Sequence, residues 1–113
     1  MHEVITVALG GAGGSREFLD GSRRWTAQLP SLRIGYGVYR PGWRWSLHAG
    51  PQTGLPSEAH TGYVEAGRMA VRGAGGQEVT VGPGEAFAAG PGHDAWVVGD
   101  EPCVALDFEV VVP

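Results

Sequence analysis

Turn formers interrupt this chain so often that no long regular helix can develop. Glycine accounts for 20 of its 113 residues and proline for 8. Between them lie short runs in which apolar and polar residues alternate. Strand signals recur about every 8 to 12 residues, and no segment holds a helical period through three turns. Many short strands create many unpaired edges, and closure into an antiparallel barrel or double-sheet roll removes them. Hydrophobic residues make up 42% of the chain, enough to build one core rather than leave it disordered. The expectation is an all-β protein of one domain, 1–113, with an N-terminal strand and arm over 1–30 and a barrel core over 33–111.

Residues 4–9 read as a strand. The glycine-rich run after it suggests a phosphate-binding loop, but no amphipathic helix follows, so it is read as a flexible turn. Residues 15–30 read as a polar linker anchored by Phe18, Leu19 and Trp25. Over 32–40, Ile34, Tyr36 and Val38 share a face. Over 43–48, Trp43, Trp45 and Leu47 fall on one face and Arg44, Ser46 and His48 on the other. Residues 61–65 and 68–72 form a hairpin about Ala66-Gly67. Further strands follow over 78–81, 85–89, 95–98 and 103–112.

Two glycine-anchored blocks carry a family resemblance. In the first, Gly42 is followed by five residues and His48, and His60 by six residues and Gly67. In the second, Gly84 leads to Gly90, Gly92, Ala95 and Gly99, with 16 residues between Gly67 and Gly84. These spacings resemble the paired motifs of the cupins over residues 33–111. The resemblance implies a single antiparallel cupin-type β-barrel (a double-stranded β-helix, or jelly roll) with its pocket inside. At the family's metal-ligand positions, His48 is kept, Gly50 replaces a histidine, His60 replaces the glutamate and Ala95 replaces the last histidine. The resemblance therefore implies His48 and His60 as metal ligands, to be completed by His93, Gln52 or Glu58. The cofactor expectation is none, or a weakly held divalent metal.

With His48 inward, as its motif position implies, period-two alternation brings Arg44 and Ser46 with it. The same parity points His60, Gly62 and Val64 inward on the next strand. The catalytic candidates are His48, His60 and Arg44, and the substrate wall is Ser46, Tyr36, Val64 and Val97. Two histidines titrating near neutrality suit general acid and base, and an arginine suits a carboxylate or a developing oxyanion. This points to cyclase, isomerase or lyase chemistry on a small molecule. The alternatives are a non-enzymatic binding protein and a metal-dependent oxygenase with atypical ligands. Asp94, next to His93, reads as a capping or turn-stabilising residue. Asp107 shares a face with Cys103 and Ala105, either inward or on the outer face with an arginine. Glu65 lies opposite His60, on the solvated face.

Outward Trp43 and Trp45 need cover, from the N-terminal arm or from a second subunit, so a homodimer is expected. The net charge of −4 with no basic cluster argues against nucleic acid. The absence of any run of about 18 apolar residues argues against a membrane span. A lone cysteine, Cys103, and no leader pattern point to the cytoplasm.

Overall fold

The computed structural model describes residues 4–11 and 15–112. The strands among them are β1 (Ser15–Glu17), β2 (Arg23–Leu29), β3 (Leu32–Tyr39), β4 (His60–Ala66), β5 (Met69–Arg72), β6 (Glu78–Val81), β7 (Ala86–Ala89), β8 (Asp94–Val97) and β9 (Cys103–Val110). Between β3 and β4 lie two helical turns of four residues, α1 (Trp45–His48) and α2 (Gly50–Thr53). All pairings between strands among the described residues are antiparallel, and one isolated bridge, Val64 to Pro83, is parallel. One sheet has six strands in the order β1-β2-β3-β9-β4-β7, and the other three in the order β6-β5-β8. The core between them includes Phe18, Trp43, Val64, Met69, Val81 and Cys103. The all-β antiparallel roll expected from the turn spacing is the observed architecture. No helix among the described residues is long and apolar enough to cross a membrane.

Several local expectations are corrected. Residues 4–8 join no strand, and part of the following glycine run, 12–14, lies outside the described residues. Residues 15–30 are not a linker: β1 and β2 extend the six-stranded sheet, with Trp25 opposite Tyr36 and Arg24 opposite Gly37. Phe18 is a core residue, whereas Leu19 is exposed. Residues 61–65 and 68–72 do not pair with each other. Gly67, at φ 72°, turns the chain out of one sheet and into the other. That left-handed backbone suits glycine, and a Cβ there would run into the Pro102 carbonyl oxygen.

The largest correction concerns 43–48. Its alternation mimics a strand, but Arg44 makes only an isolated bridge to Trp96 before the chain coils into α1. The coil is fixed from β8. Asp94 Oδ1 accepts the Ser46 N–H at 3.0 Å, and Oδ2 accepts Ser46 Oγ at 2.8 Å and Arg44 Nε at 2.9 Å. A carboxylate at a first-turn N–H satisfies a donor the helix itself leaves open. Asp94 thus has the capping role expected of it. Pro51 starts α2 and Gly54, at φ 68°, ends it. As a result Trp43 is only 4% exposed and belongs to the chain's own core. The outward tryptophan face that motivated the homodimer does not exist.

Gly62 shows where this packing has no slack. It sits opposite Asp107 in the β4–β9 ladder, and a Cβ there would overlap the Leu106 carbonyl oxygen and press on the Asp107 Cα. Backbone cannot rotate aside as a side chain can. Gly62→Ala should therefore lower unfolding free energy by about 2–3 kcal/mol, read as a shift of the urea midpoint at unchanged slope. An unchanged midpoint would mean that β4 and β9 do not approach this closely.

Candidate active site

The inward faces of the sheets enclose a cavity of about 280 Å3. Its chemistry comes from five strands and the loops beside them. The inward face of β3 carries Gly35, Gly37 and Tyr39, opposite Asp107, Ala105 and Cys103 on β9. Both glycines leave needed space. A Cβ on Gly35 would collide with the Arg24 guanidinium, and one on Gly37 with the Tyr39 ring and hydroxyl. Glycine inside a strand often marks such an approach.

Over Gly35, Arg24 reaches from β2 to β9. Its Nη1 donates to Asp107 Oδ2 at 2.7 Å and its Nη2 to Oδ1 at 2.9 Å. This two-pronged pair is the strong form of an arginine–carboxylate contact, and both side chains are largely shielded from solvent, at 23% and 19% exposure. His60, at the start of β4, places Nδ1 3.9 Å from Asp107 Oδ1. Burial holds His60 below its ordinary pKa. Asp107 pulls it back up, while Arg24 and His93 push it down. His60 is therefore a neutral imidazole at neutral pH.

His93, buried at 6% exposure, meets His60 edge to face at 5.6 Å between ring centres. Its Nδ1 lies 2.8 Å from the Gly90 carbonyl oxygen. A carbonyl only accepts, so this nitrogen carries a proton. Ser57 Oγ donates to the His93 carbonyl and fixes the loop. Tyr39 sits deeper. Burial pushes its phenol up to about 12, with Arg24 pulling down and Asp107 pushing up, so it remains a hydroxyl donor. Phe18, Tyr39 and Trp43 form one aromatic cluster, with Tyr39 and Trp43 at 4.5 Å between ring centres. The indole Nε1 of Trp43 is buried with no partner among the described residues.

Of the residues singled out from sequence, His60, Val64, His93 and Glu58 line this cavity. His48, Arg44, Ser46, Tyr36, Val97 and Gln52 do not. Arg44 is committed to Asp94 and lies over the Trp96 ring at 4.4 Å. His48 Nδ1 accepts the Arg44 backbone N–H at 2.9 Å, which uses the lone pair a metal would need. Gln52 donates to the Glu17 carbonyl and accepts from Arg16. Tyr36 lies on the outer face of β3 against Trp25, because Ile34, Tyr36 and Val38 are the outward set. Val97 is packed in the core. Cys103, fully buried, has its thiol pushed up to about 11 by burial and is a packing residue. Sequence reasoning missed Arg24, Tyr39 and Arg16, and left Asp107 undecided. The alternate glycines 35 and 37 were the available signal.

A sequence-family model described as a cupin domain matches residues 43–109. The chain belongs to the cupin family. No curated protein matches it in sequence. Among solved structures it is similar to KdgF from Halomonas sp., at 20% identity, TM-score 0.64 and 96% coverage of both chains. It is also similar to a sugar phosphate isomerase of the cupin superfamily from Silicibacter pomeroyi, at 20% identity and TM-score 0.62, over 88% of this chain and 71% of that one. A DMSP lyase structure (RdDddP and RnDddQII) gives 19% identity and TM-score 0.61, over 82% of this chain and 49% of that one. Likeness at these identities establishes the fold.

The donors present do not fit the divalent metal that the cupin resemblance implied. Among the described residues no three His, Cys, Asp or Glu side chains converge as a ligand set. Both Asp107 oxygens are held by Arg24, and His48 faces elsewhere.

The His60 environment has a measurable consequence. Between its lowered folded pKa and the ordinary value of 6.5, the unfolded chain binds more protons than the folded one. Stability should be complete above 6.5 and fall as pH drops through that window. Asp94 adds a separate loss at lower pH. Burial alone would raise its pKa, but hydrogen bonds from Arg44 and Ser46 outweigh that and hold it below 3.8. Urea midpoints from about pH 7.5 to about pH 5 should show the first slope in the native chain and lose it in His60→Gln. An equal slope in both would assign it to another group.

Proposed function

We propose that this cupin is an acid–base enzyme of the isomerase, lyase or cyclase type, which moves a proton on a small organic molecule held in the cavity. The observation that carries this is the neutral His60 beside an aspartate that is itself pinned by Arg24. A general base must be uncharged at working pH and must gain stabilisation when it takes the proton. Burial supplies the first condition. Asp107 supplies the second, because an imidazolium forming 3.9 Å from its Oδ1 is favoured by that carboxylate. Arg24 holds the carboxylate in place through two hydrogen bonds.

A proton must also be returned. The His60 imidazolium can return it, while the Tyr39 hydroxyl, raised to about 12 by burial, holds its proton and serves as a hydrogen-bond donor. His93 stands on the same wall, its ring edge to face with that of His60. Thus a base and a donor face one small space whose remaining lining is mostly apolar, which strengthens their electrostatics. Structural likeness to a sugar phosphate isomerase and a DMSP lyase is compatible with this class.

The test is solvent-deuterium exchange into a panel of enolisable 2-oxo acids and aldoses, followed by proton NMR. At least one compound should lose a C–H signal with native protein. His60→Gln should slow that exchange by about 100-fold or more, and Asp107→Asn, which also leaves Arg24 unpaired, should slow it as well. The exchange should persist in chelator. Exchange that stops in chelator and returns with a divalent metal would favour metal-dependent chemistry. Binding of panel members with no exchange would favour the non-enzymatic binding protein.

A further inference from the structure

Arg16 is the one cavity-lining cation without a carboxylate partner among the described residues. It stands on the exposed strand β1, its guanidinium 4.8 Å from the centre of the Phe18 ring. Its Nη2 donates to the Ala49 carbonyl and to Gln52 Oε1, each at 3.2 Å. Neutral acceptors orient the group and leave its charge uncompensated. Tyr39, which packs against Phe18 at 6.0 Å between ring centres, makes no side-chain hydrogen bond among the described residues. It keeps its hydroxyl because Gly37 leaves the space for it.

Charge is not uniform along the cavity. Arg16 is among the charges that act on Tyr39, whereas Glu58 acts on His60. Arg24 and Asp107 cancel between them. A ligand is thus offered a cation at the Phe18–Tyr39 end and an anion at the His60 end, with Glu58 exposed and screened.

We propose that Arg16 and Tyr39 form a carboxylate-binding subsite, so that the substrate is a small monocarboxylate with a planar apolar body. The aromatic cluster of Phe18, Tyr39 and Trp43 receives that body. Arg16 takes the carboxylate at the mouth, Tyr39 donates to it, and the far end of the molecule is left beside His60. A cavity of about 280 Å3 admits a single ring bearing one carboxylate. The inference deepens the acid–base reading and rests on this cavity being its substrate site.

Binding separates the two. Calorimetric titration with benzoate and with its neutral isostere benzamide reads the subsite without turnover. Native protein should bind benzoate about 10-fold or more tightly than benzamide, the difference expected of a charge-assisted contact. Arg16→Gln should abolish that preference and Arg16→Lys should keep part of it, since the charge remains and the fork is lost. Tyr39→Phe should weaken benzoate more than benzamide, because an anionic acceptor gains more from the hydroxyl than a neutral one. Matching circular-dichroism melts show that each variant is folded. Equal affinity for the two compounds, binding of neither, or a benzoate preference that survives Arg16→Gln would overturn the subsite. A His60→Gln protein that exchanges deuterium as the native one does would overturn the acid–base reading alone, and benzoate binding would be untouched by it.

Discussion

The cavity depends on one ion pair that crosses over an intervening strand at a glycine. Arg24 belongs to β2 and Asp107 to β9, with β3 hydrogen-bonded between them. Their contact needs a gap in the intervening side-chain layer, and Gly35 provides it. Such a pair is a weak source of stability, because the desolvation of both charges opposes their attraction. Its value lies in position. With Arg24 holding both oxygens, Asp107 Oδ1 is fixed relative to His60. Loss of either partner would leave a shielded charge uncompensated, and His60 would respond in opposite directions. Without Asp107 it would lose the group that raises its pKa, and without Arg24 the group that lowers it.

The same pair explains why the cavity is close to neutral within and charged at its rim. Arg24 and Asp107 cancel, burial keeps His60 uncharged and Tyr39 protonated, and Cys103 stays a thiol. Arg16 and Glu58 remain, both exposed to solvent. A charged ligand is therefore recognised at the rim, where water screens the interaction, and its reacting part enters a space where small charges act strongly. That division suits proton transfer, because a proton gained by His60 is the only large change of charge inside.

Much of the fold was legible because turns and alternation act locally. Strands β3 and β5 to β9 lie within a residue or two of where the pattern places them, and Val64 and His60 point inward as parity requires. What failed was set by distant partners. The alternation over 43–48 is a real period of two, but Asp94, 48 residues from Ser46, captures its N–H and turns the segment into a helix. The ladder from Thr61 onward pairs with β7 and β9 rather than with its neighbour in sequence. Tyr36, expected in the substrate wall, belongs to the outward set of β3. The true inward face carries two glycines because Arg24 and the Tyr39 ring lie over them. A polar linker was read where β2 delivers Arg24, since a strand at the sheet's outer end, exposed at alternate residues, has no strong apolar period.

Asp107 is flanked at one level by two glycines, Gly35 on β3 and Gly62 on β4. They do different work. On the β3 side the missing Cβ admits a guanidinium, so the constraint is chemical and a larger residue would expel Arg24. On the β4 side it admits the backbone of β9 itself, so the constraint is architectural. Register ties the two together. Side chains alternate across a strand, so a slip of one residue in β9 would turn Leu106 and Phe108 inward and Asp107 out. No hydrophobic pattern forbids that slip, because β9 is apolar on both faces, from Cys103 and Ala105 on one to Val104, Leu106 and Phe108 on the other. What opposes it is the Arg24 clasp on Asp107 and the fit of β9 against Gly62. The site therefore does part of the fold's work: the carboxylate that tunes His60 also fixes the register of the strand that carries it.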